Sequence, residues 1–401
     1  MPTLIESDKC CGCAACANKC AKGAISMKPN KEGFLHPSID TSKCVECGLC
    51  ENVCPGIHPA INKENNGIPG VYVVQHKNDK IRYQSTSGGA FTAIAEEIIR
   101  RGGVVFGTSM SADLSVRHCF VEKEEELIRF RNSKYVQSKI GNSYQLARKF
   151  LLENRYVCFS GTPCQINGLY KYLGKDYEKL IAVDVVCKSV PSPLIFSKYV
   201  EFKKQQEKTI TDIVFRDKKR GFLYCTMAHY RSYEDRLKNR ELYRRGSESD
   251  EWLRLFLSGK ISRHSCMTCQ YQTRQRVGDF TLGDIWETGF SDYDDNKGST
   301  LVHVWTKKGQ RFLDDISRNI RSVAYPMEKS RGMERYGKIN IWQDRAQLFE
   351  DAQVLSVEDF FAKYAPYNIK VRLKNYTRVI LWGLQLQALV RRIKHSIIHR
   401  K

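Results

Sequence analysis

The sequence predicts an α+β chain in three parts: a small cysteine-rich module at the N-terminus, an α/β core, and a basic helical tail. Three observations carry this reading. A four-cysteine pattern occurs twice within residues 10–54. From Val71 onward, β-branched runs alternate with amphipathic helical stretches, the order of an α/β core. The C-terminal stretch 370–401 holds nine Lys/Arg and no Asp or Glu.

The module comes first. Cys10, Cys13, Cys16 and Cys20 recur as Cys44, Cys47, Cys50 and Cys54, every member displaced by the same step along the chain, which marks an internal duplication. Three closely spaced thiolates can take three irons of a 4Fe-4S cube while a fourth crosses to the other cluster. The spacing therefore assigns Cys10, Cys13, Cys16 and Cys54 to one cluster, and Cys20, Cys44, Cys47 and Cys50 to the other. Pro55 follows Cys54 as is usual, whereas Ala21 follows Cys20. Paired Cys-x-x-Cys spacings also suit zinc, but two triplets that each have a fourth Cys four positions on fit the iron-sulfur pattern far better. Cys11 stands outside the spacing and reads as a bystander. Residues 1–60 thus read as a bacterial-type two-cluster (2x 4Fe-4S) ferredoxin domain, and the polar stretch 61–70 as a linker.

The bulk numbers fit an intracellular redox protein. Sixteen cysteines in 401 residues, mostly in clustered spacings, are not the disulfide framework of a small secreted domain. The N-terminus MPTLIESDKC has no charged-then-apolar segment, and no stretch reaches the roughly 20 apolar residues of a membrane span. A cytoplasmic, reducing setting is expected. The net charge of +21 informs association rather than fold. Its second basic stretch, residues 215–246, lacks the aromatic-plus-Gly pattern of an RNA-binding strand, so nucleic acid is not expected as a partner.

In the core, VYVVQH (71–76) reads as a strand, followed by the loop STSGG and a helix in which Phe91, Ile94, Ala95 and Ile98 share a face and Gly102-Gly103 stops it. VVF (104–106) begins a strand; a helix near 143–153 leads into YVCF (156–159), the turn SGTPC and a helix carrying Ile166, Leu169, Tyr170 and Leu173. LIAVDVV (180–186) is apolar but for one Asp, as a strand covered on both faces would be. After about residue 190 the periodicity fixes no topology. Within this region, Ser87 is positioned to cap a helix, and Gly88-Gly89 would let a phosphate approach its first amides; a plain capped helix is the commoner explanation of such a turn. GDFTLGD (278–284) reads as turn-strand-turn or as a cofactor-facing loop.

Four further cysteines invite attention: Cys164 in GTPCQ, Cys187 at the end of the apolar strand, and Cys266 and Cys269 in SCMTC. Thr162 and Pro163 read as N-cap and first helical residue, where a helix dipole would favour a Cys164 thiolate. Cys187 closes a strand whose carboxyl end is where ligands gather in open α/β sheets. Spacing alone leaves a third cluster and structural thiols equally open. Cys119, Cys158 and Cys225 read as core residues. In the tail, Val379, Trp382, Leu386, Leu389, Val390, Ile393 and Ile397 form one helical stripe opposite Gln387, Arg391, Lys394 and His395, suited to an anionic membrane surface or to packing on a protein.

Together the double ferredoxin motif, STSGGAFTAIAEEI, GGVVFG, SKYVQS (133–138), FSGTPCQINGL, VDVVC, FRDK, and SC-x-x-C followed by GDFTLGD resemble the beta-subunit family of coenzyme F420 hydrogenase/dehydrogenase, over about residues 5–300. The resemblance implies an α/β flavin-binding core at 71–365, divided into family parts at about 71–150 and 151–310, with the basic amphipathic helical tail at 366–401. It implies FAD, with Ser87, Gly88, Gly89, Ser133, Lys134, Gln137 and Ser138 near it, and a third 4Fe-4S cluster on Cys164, Cys187, Cys266 and Cys269. Where relatives often read Cys-His-Gly, this chain has Cys187-Lys188-Ser189.

The function expected from the resemblance is an iron-sulfur flavoprotein oxidoreductase. It would pass electrons between a low-potential donor of ferredoxin or deazaflavin type, 4Fe-4S clusters and FAD to reduce a substrate. The alternative is an electron-relay subunit without its own substrate site, serving a partner enzyme such as one of surface-polysaccharide synthesis. The expected partner is a redox protein or a deazaflavin coenzyme. The basic tail would add contact with a partner or with the inner face of the membrane.

Overall fold

The computed structural model describes residues 2–59, 70–207, 209–273, 276–285, 293, 295–330, 342–390 and 393; the expected linker, apart from Gly70, falls outside them. The strands are β1 (Ile25–Pro29), β2 (Leu35–Ile39), β3 (Gly70–His76), β4 (Val104–Met110), β5 (Val116–Val121), β6 (Val157–Gly161), β7 (Leu180–Val185), β8 (Asp212–Asp217), β9 (Thr226–Tyr230), β10 (Tyr243–Gly246), β11 (Phe280–Asp284), β12 (Thr300–Val304) and β13 (Ile320–Ala324). The helices are α1 (Ala15–Lys19), α2 (Leu49–Asn52), α3 (Asp79–Gln84), α4 (Ala90–Arg100), α5 (Ser143–Leu152), α6 (Pro163–Leu173), α7 (Pro193–Gln206), α8 (Tyr233–Leu237), α9 (Glu251–Ser258), α10 (Lys307–Asp315), α11 (Arg345–Val354), α12 (Val357–Tyr364) and α13 (Ile369–Gly383).

The two copies of the cysteine pattern share a backbone. α1 follows Ala14 (φ 62°) and α2 follows Gly48 (φ 68°), both left-handed. Just before them, Gly12 (φ 70°) and Glu46 (φ 53°) are left-handed too. The constant displacement therefore relates chain conformation as well as thiols, and Ala14 and Glu46 hold that conformation at a cost of about 1 kcal/mol each. The antiparallel hairpin β1-β2 joins the copies.

The core is an eight-stranded mixed sheet in the order β13-β3-β12-β11-β7-β6-β4-β5. At its centre β11, β7, β6 and β4 run parallel, and β12 and β5 flank them antiparallel. The predicted helices and strands up to residue 186 are present. In β7 every residue from Leu180 to Asp184 is buried, the signature of a strand covered on both faces. Beyond residue 190, where the pattern fixes no topology, β8, β9 and β10 form a separate three-stranded antiparallel sheet.

The module packs into this body. Ala14, Ala15 and Val53 share a buried cluster with α5 and α6, and Phe34 joins another with α7, α9, α11 and α12. At Gly168 in α6 a Cβ would lie 3.0 Å from the Cys13 sulfur, so any larger residue would push the module outward by a few tenths of an ångström. Polar ties add to the packing: Asn18 donates to the Gly141 carbonyl (2.8 Å), Gln145 to the Asn18 carbonyl (2.9 Å), and the Leu35 amide to Gln137 Oε1 (2.9 Å).

The tail differs from expectation in one respect. α13 ends at Gly383, and Gln385 turns left-handed (φ 57°), so the single stripe expected from Val379 to Ile397 is interrupted. Ile397 lies outside the described residues. Among the described residues no helix is long and apolar enough to cross a membrane.

Candidate redox site

Within the module Cys10, Cys13 and Cys50 are buried, Cys16, Cys20, Cys44 and Cys54 half-buried, and Cys47 exposed. Burial pushes the thiols of Cys10 and Cys50 up, and that of Cys16 to about 12. Cys54 lies close enough to Cys10 and Cys16 to raise both further. Backbone amides turn toward these sulfurs: Ala24 N–H donates to Cys20 Sγ (3.3 Å), and the amides of Gly12 and Ala17 lower the thiols of Cys10 and Cys16. Amide-to-sulfur bonds of this kind are how proteins support and tune iron-sulfur ligands.

A second sulfur-rich region lies where the carboxyl ends of β6 and β7 meet the module. Cys164 is the second residue of α6, Cys187 follows β7, and Cys266 and Cys269 flank a turn after α9. Burial raises the Cys187 thiol well above its ordinary range, and Cys266, Cys164 and Cys269 raise it further; burial likewise pushes Cys266 to about 12, with Cys164 and Cys269 adding. The four expected ligands are therefore neighbours. Val190 N–H donates to Cys266 Sγ (3.4 Å), and the amides of Tyr271 and Gln272 support Cys269. Thr162 and Pro163 are the N-cap and first residue of α6, with a complete capping box to Gln165. A hydrogen bond with Cys11 and burial lift the Cys164 thiol well above its usual value. Among the described residues no three Cys, His, Asp or Glu side chains converge tightly enough for a single metal ion.

Cys11, read as a bystander from its spacing, lies at the junction. It contacts Cys13 of the module and Cys164 of the core, and bridges the two sulfur groups. Arg263, 2% exposed, locks the same junction. Its Nε donates to the Cys10 carbonyl (2.6 Å), and Nη2 donates to the Leu35 carbonyl (3.1 Å) and to His36 Nε2 (2.8 Å). Burial and the Arg263 charge lower His36 to about 4, keeping that nitrogen free to accept. The Cys266 amide in turn donates to the Arg263 carbonyl (3.0 Å). No local signal in SRHSC announces Arg263, and the only mark on Cys11 is that it is an extra thiol beside Cys10.

Beside these sulfurs opens a cavity of about 750 Å³ at the carboxyl ends of the parallel strands. Motifs far apart in sequence meet there. The Thr86 hydroxyl joins the STSGG loop to the SKYVQS loop, accepting from the Ser133 amide (2.7 Å) and pairing with the Ser133 hydroxyl (3.0 Å). From FRDK, Arg216 pairs with Asp284 of GDFTLGD, while Lys218 Nζ donates to the carbonyls of Arg82 (2.6 Å), Ser87 (2.7 Å) and Lys297 (2.8 Å), clamping the STSGG loop. Burial lowers Lys134 and Lys218 to about 7. Lys188, in the position that departs from Cys-His-Gly, also lines the cavity and donates to the Leu257 carbonyl.

The expected cofactor residues fare unevenly. Ser87, Gly89, Ser133, Lys134, Gln137 and Ser138 line the cavity, and Gly88 does not. Gly88 N–H is taken by Thr300 Oγ1 (2.9 Å), and a Cβ there would lie 2.2 Å from the Val74 carbonyl, so this glycine serves strand packing. Nor does Ser87 cap a helix: its hydroxyl donates to the Ser299 carbonyl, and the N-cap of α4 is Gly89 (φ 90°). Gln137 and Ser138 are already engaged, with the Leu35 amide (2.9 Å) and with His118 (3.0 Å). Lys134 Nζ donates to the carbonyls of Arg129 (2.8 Å) and Arg131 (2.9 Å). Cys158 is a core residue and Cys119 packs against the same cluster, but Cys225 lines the cavity, 3.8 Å from Arg216.

Comparison with known proteins agrees with the motifs. Residues 154–329 match the family model for the C-terminal part of the coenzyme F420 hydrogenase/dehydrogenase beta subunit, and residues 9–56 match the 4Fe-4S dicluster domain. The first match runs past residue 300, where the motif resemblance ends. Among solved structures, a chain of the F420-reducing NiFe hydrogenase complex from Methanosarcina barkeri aligns at a TM-score of 0.40 with 10% identity, covering 78% of this chain and 97% of that one. No curated protein matches the chain.

Proposed function

We propose that this chain, a member of the coenzyme F420 hydrogenase/dehydrogenase beta-subunit family over residues 154–329 with a 4Fe-4S dicluster domain at its N-terminus, is an iron-sulfur flavoprotein oxidoreductase with its own substrate site. One observation carries the reading. STSGG, SKYVQS, GTPC, VDVVC, FRDK and GDFTLGD converge on one cavity, which Cys11 and Gly12 of the module also line together with Cys164 and Cys187, and Cys266 and Cys269 lie beside those two cysteines.

The residues suit the cofactors. Cys10, Cys13, Cys16 and Cys54 would hold one cluster, Cys20, Cys44, Cys47 and Cys50 the second, and Cys164, Cys187, Cys266 and Cys269 a third. The cavity falls toward the upper end of the ~300–1,000 Å³ range of ligand pockets, room for a group of flavin size. Its lining offers apolar faces in Val183, Phe215 and Leu282, the Arg216–Asp284 ion pair, and the first turn of α4. Bound there, clusters would carry single electrons and FAD would pair them for a two-electron acceptor, the donor being of ferredoxin or deazaflavin type. The protein's part is positional: Thr86, Lys218 and Arg216 fix the loops around the cavity, and Arg263 fixes the module against it.

Two measurements test the reading. Cys54→Ser should weaken the resonance of the cluster on Cys10, Cys13 and Cys16 more than that on Cys20, Cys44, Cys47 and Cys50, read by electron paramagnetic resonance of the anaerobically purified protein. Greater damage to the second set would reverse the assignment. Thr86→Val removes the tie between the two cavity loops, worth about 1–3 kcal/mol when partners are left unpaired, and should weaken FAD retention roughly tenfold or more. Extracted flavin is measured by fluorescence and folding by circular dichroism. Full flavin content in folded Thr86→Val would move FAD elsewhere. Gly89→Val is a poorer probe, because a Cβ there meets His76 Cβ at 2.9 Å in a left-handed backbone and would strain the fold itself.

A further inference from the structure

Helix α13 has two unlike faces. Toward the core, Val371 is buried, Asn375 accepts from the Ser249 hydroxyl (3.1 Å), and Arg378 donates to Glu248 (3.0 Å) and to the Leu223 carbonyl (3.1 Å). Away from it, Ile369, Leu373, Tyr376 and Ile380 recur at helical spacing on one side, and are 67%, 59%, 62% and 59% exposed. Leu384, 62% exposed, extends the row. A helix on a soluble protein normally turns polar residues outward, and a continuous apolar strip rimmed by polar side chains marks an interaction surface.

The charge around the strip selects its partner. On the helical wheel, Lys370 and Arg372 flank the strip on opposite sides, and neither the helix nor the remaining sequence to residue 401 contains an acid. We propose that the outward face of α13 seats on an anionic lipid surface, with the apolar row entering the acyl boundary and the flanking cations meeting headgroups. The inner-face contacts hold the helix to the core, so the row is presented on a fixed body. This proposal does not depend on the cofactor assignment, and its row is distinct from the interrupted stripe at 379–397.

The test is flotation of the full-length protein with phosphatidylglycerol vesicles and with phosphatidylcholine vesicles, at low and high salt. Binding to the first is expected, weakened at high salt by screening and weaker by an order of magnitude on the second. Leu373→Glu and Ile380→Glu, both on the outward row, should each lower binding about tenfold or more while iron content and melting temperature stay unchanged. No binding to phosphatidylglycerol, equal binding to both lipids, or unchanged binding by the two variants overturns the proposal. So does light scattering that finds a dimer dissolved by the same substitutions without vesicle binding, since the row would then be an interface between two copies.

Discussion

Cys266→Ser is expected to lower total iron from about twelve to about eight atoms per chain, counting four per cluster. It should also destabilise the core. Cys164, Cys187, Cys266 and Cys269 come from α6, the end of β7 and the turn after α9, so a group bound to all four ties together segments far apart in the chain. Metal-binding free energy in such a site is also folding free energy. Iron analysis and thermal melting of anaerobically prepared protein read both effects. Cys158→Ser is the matched control, because that thiol sits in the apolar core away from the sulfur group; it should keep all its iron. Cys225→Ser is unsuitable as a control, since Cys225 lines the cavity. A Cys266→Ser protein that retains its full iron, or an intact protein that never exceeds eight, would leave the four cysteines structural.

Arg263→Leu is the second large effect expected. The substitution strips hydrogen bonds from the carbonyls of Cys10 and Leu35 and from His36, all at the junction of module and core. Each buried acceptor left unpaired costs about 1–3 kcal/mol, which adds to several degrees of melting temperature in a protein of this size. Arg263→Lys should recover only part, because an ammonium lacks the planar fork that serves separate acceptors. Iron should fall first at Cys10, whose carbonyl is released. If Arg263→Leu melts and loads iron as the parent does, the module is held without it, by its apolar contacts at Ala14, Ala15, Val53 and Phe34 and its ties to Gly141, Gln145 and Gln137.

The contrast between Cys54 and Arg263 explains what is legible in the sequence. Cluster ligation imposes a local spacing, so the duplicated cysteines can be read directly, and even their backbone, left-handed at positions 12 and 14 and again at 46 and 48, follows the same displacement. The core elements predicted up to residue 186 announce themselves by an amphipathic face or a continuous apolar run, whereas α3 and β5 carry no such signal and go unpredicted. Arg263 acts on Cys10 and Leu35, and Cys11 on Cys164, all distant in the chain, and no short window encodes such a partner. Ser87 and Gly88 mislead for the opposite reason: the local pattern suits a capped phosphate turn, but Ser299 and Thr300, far downstream, take the hydroxyl and the amide. The antiparallel sheet β8-β9-β10 stays hidden because its short strands alternate poorly.

The unequal exposure of Cys47 and of Cys10 and Cys13 gives the module a polarity. Cys47 is open to solvent, with Val45 and Leu49 59% and 40% exposed beside it, while Cys10 and Cys13 face inward against Cys11 and Arg263. If the proposed clusters are bound, a carrier would meet the protein at the exposed Cys47 end and not at the buried Cys10 end, so the same duplicated motif would serve as a port on one side and as internal wiring on the other.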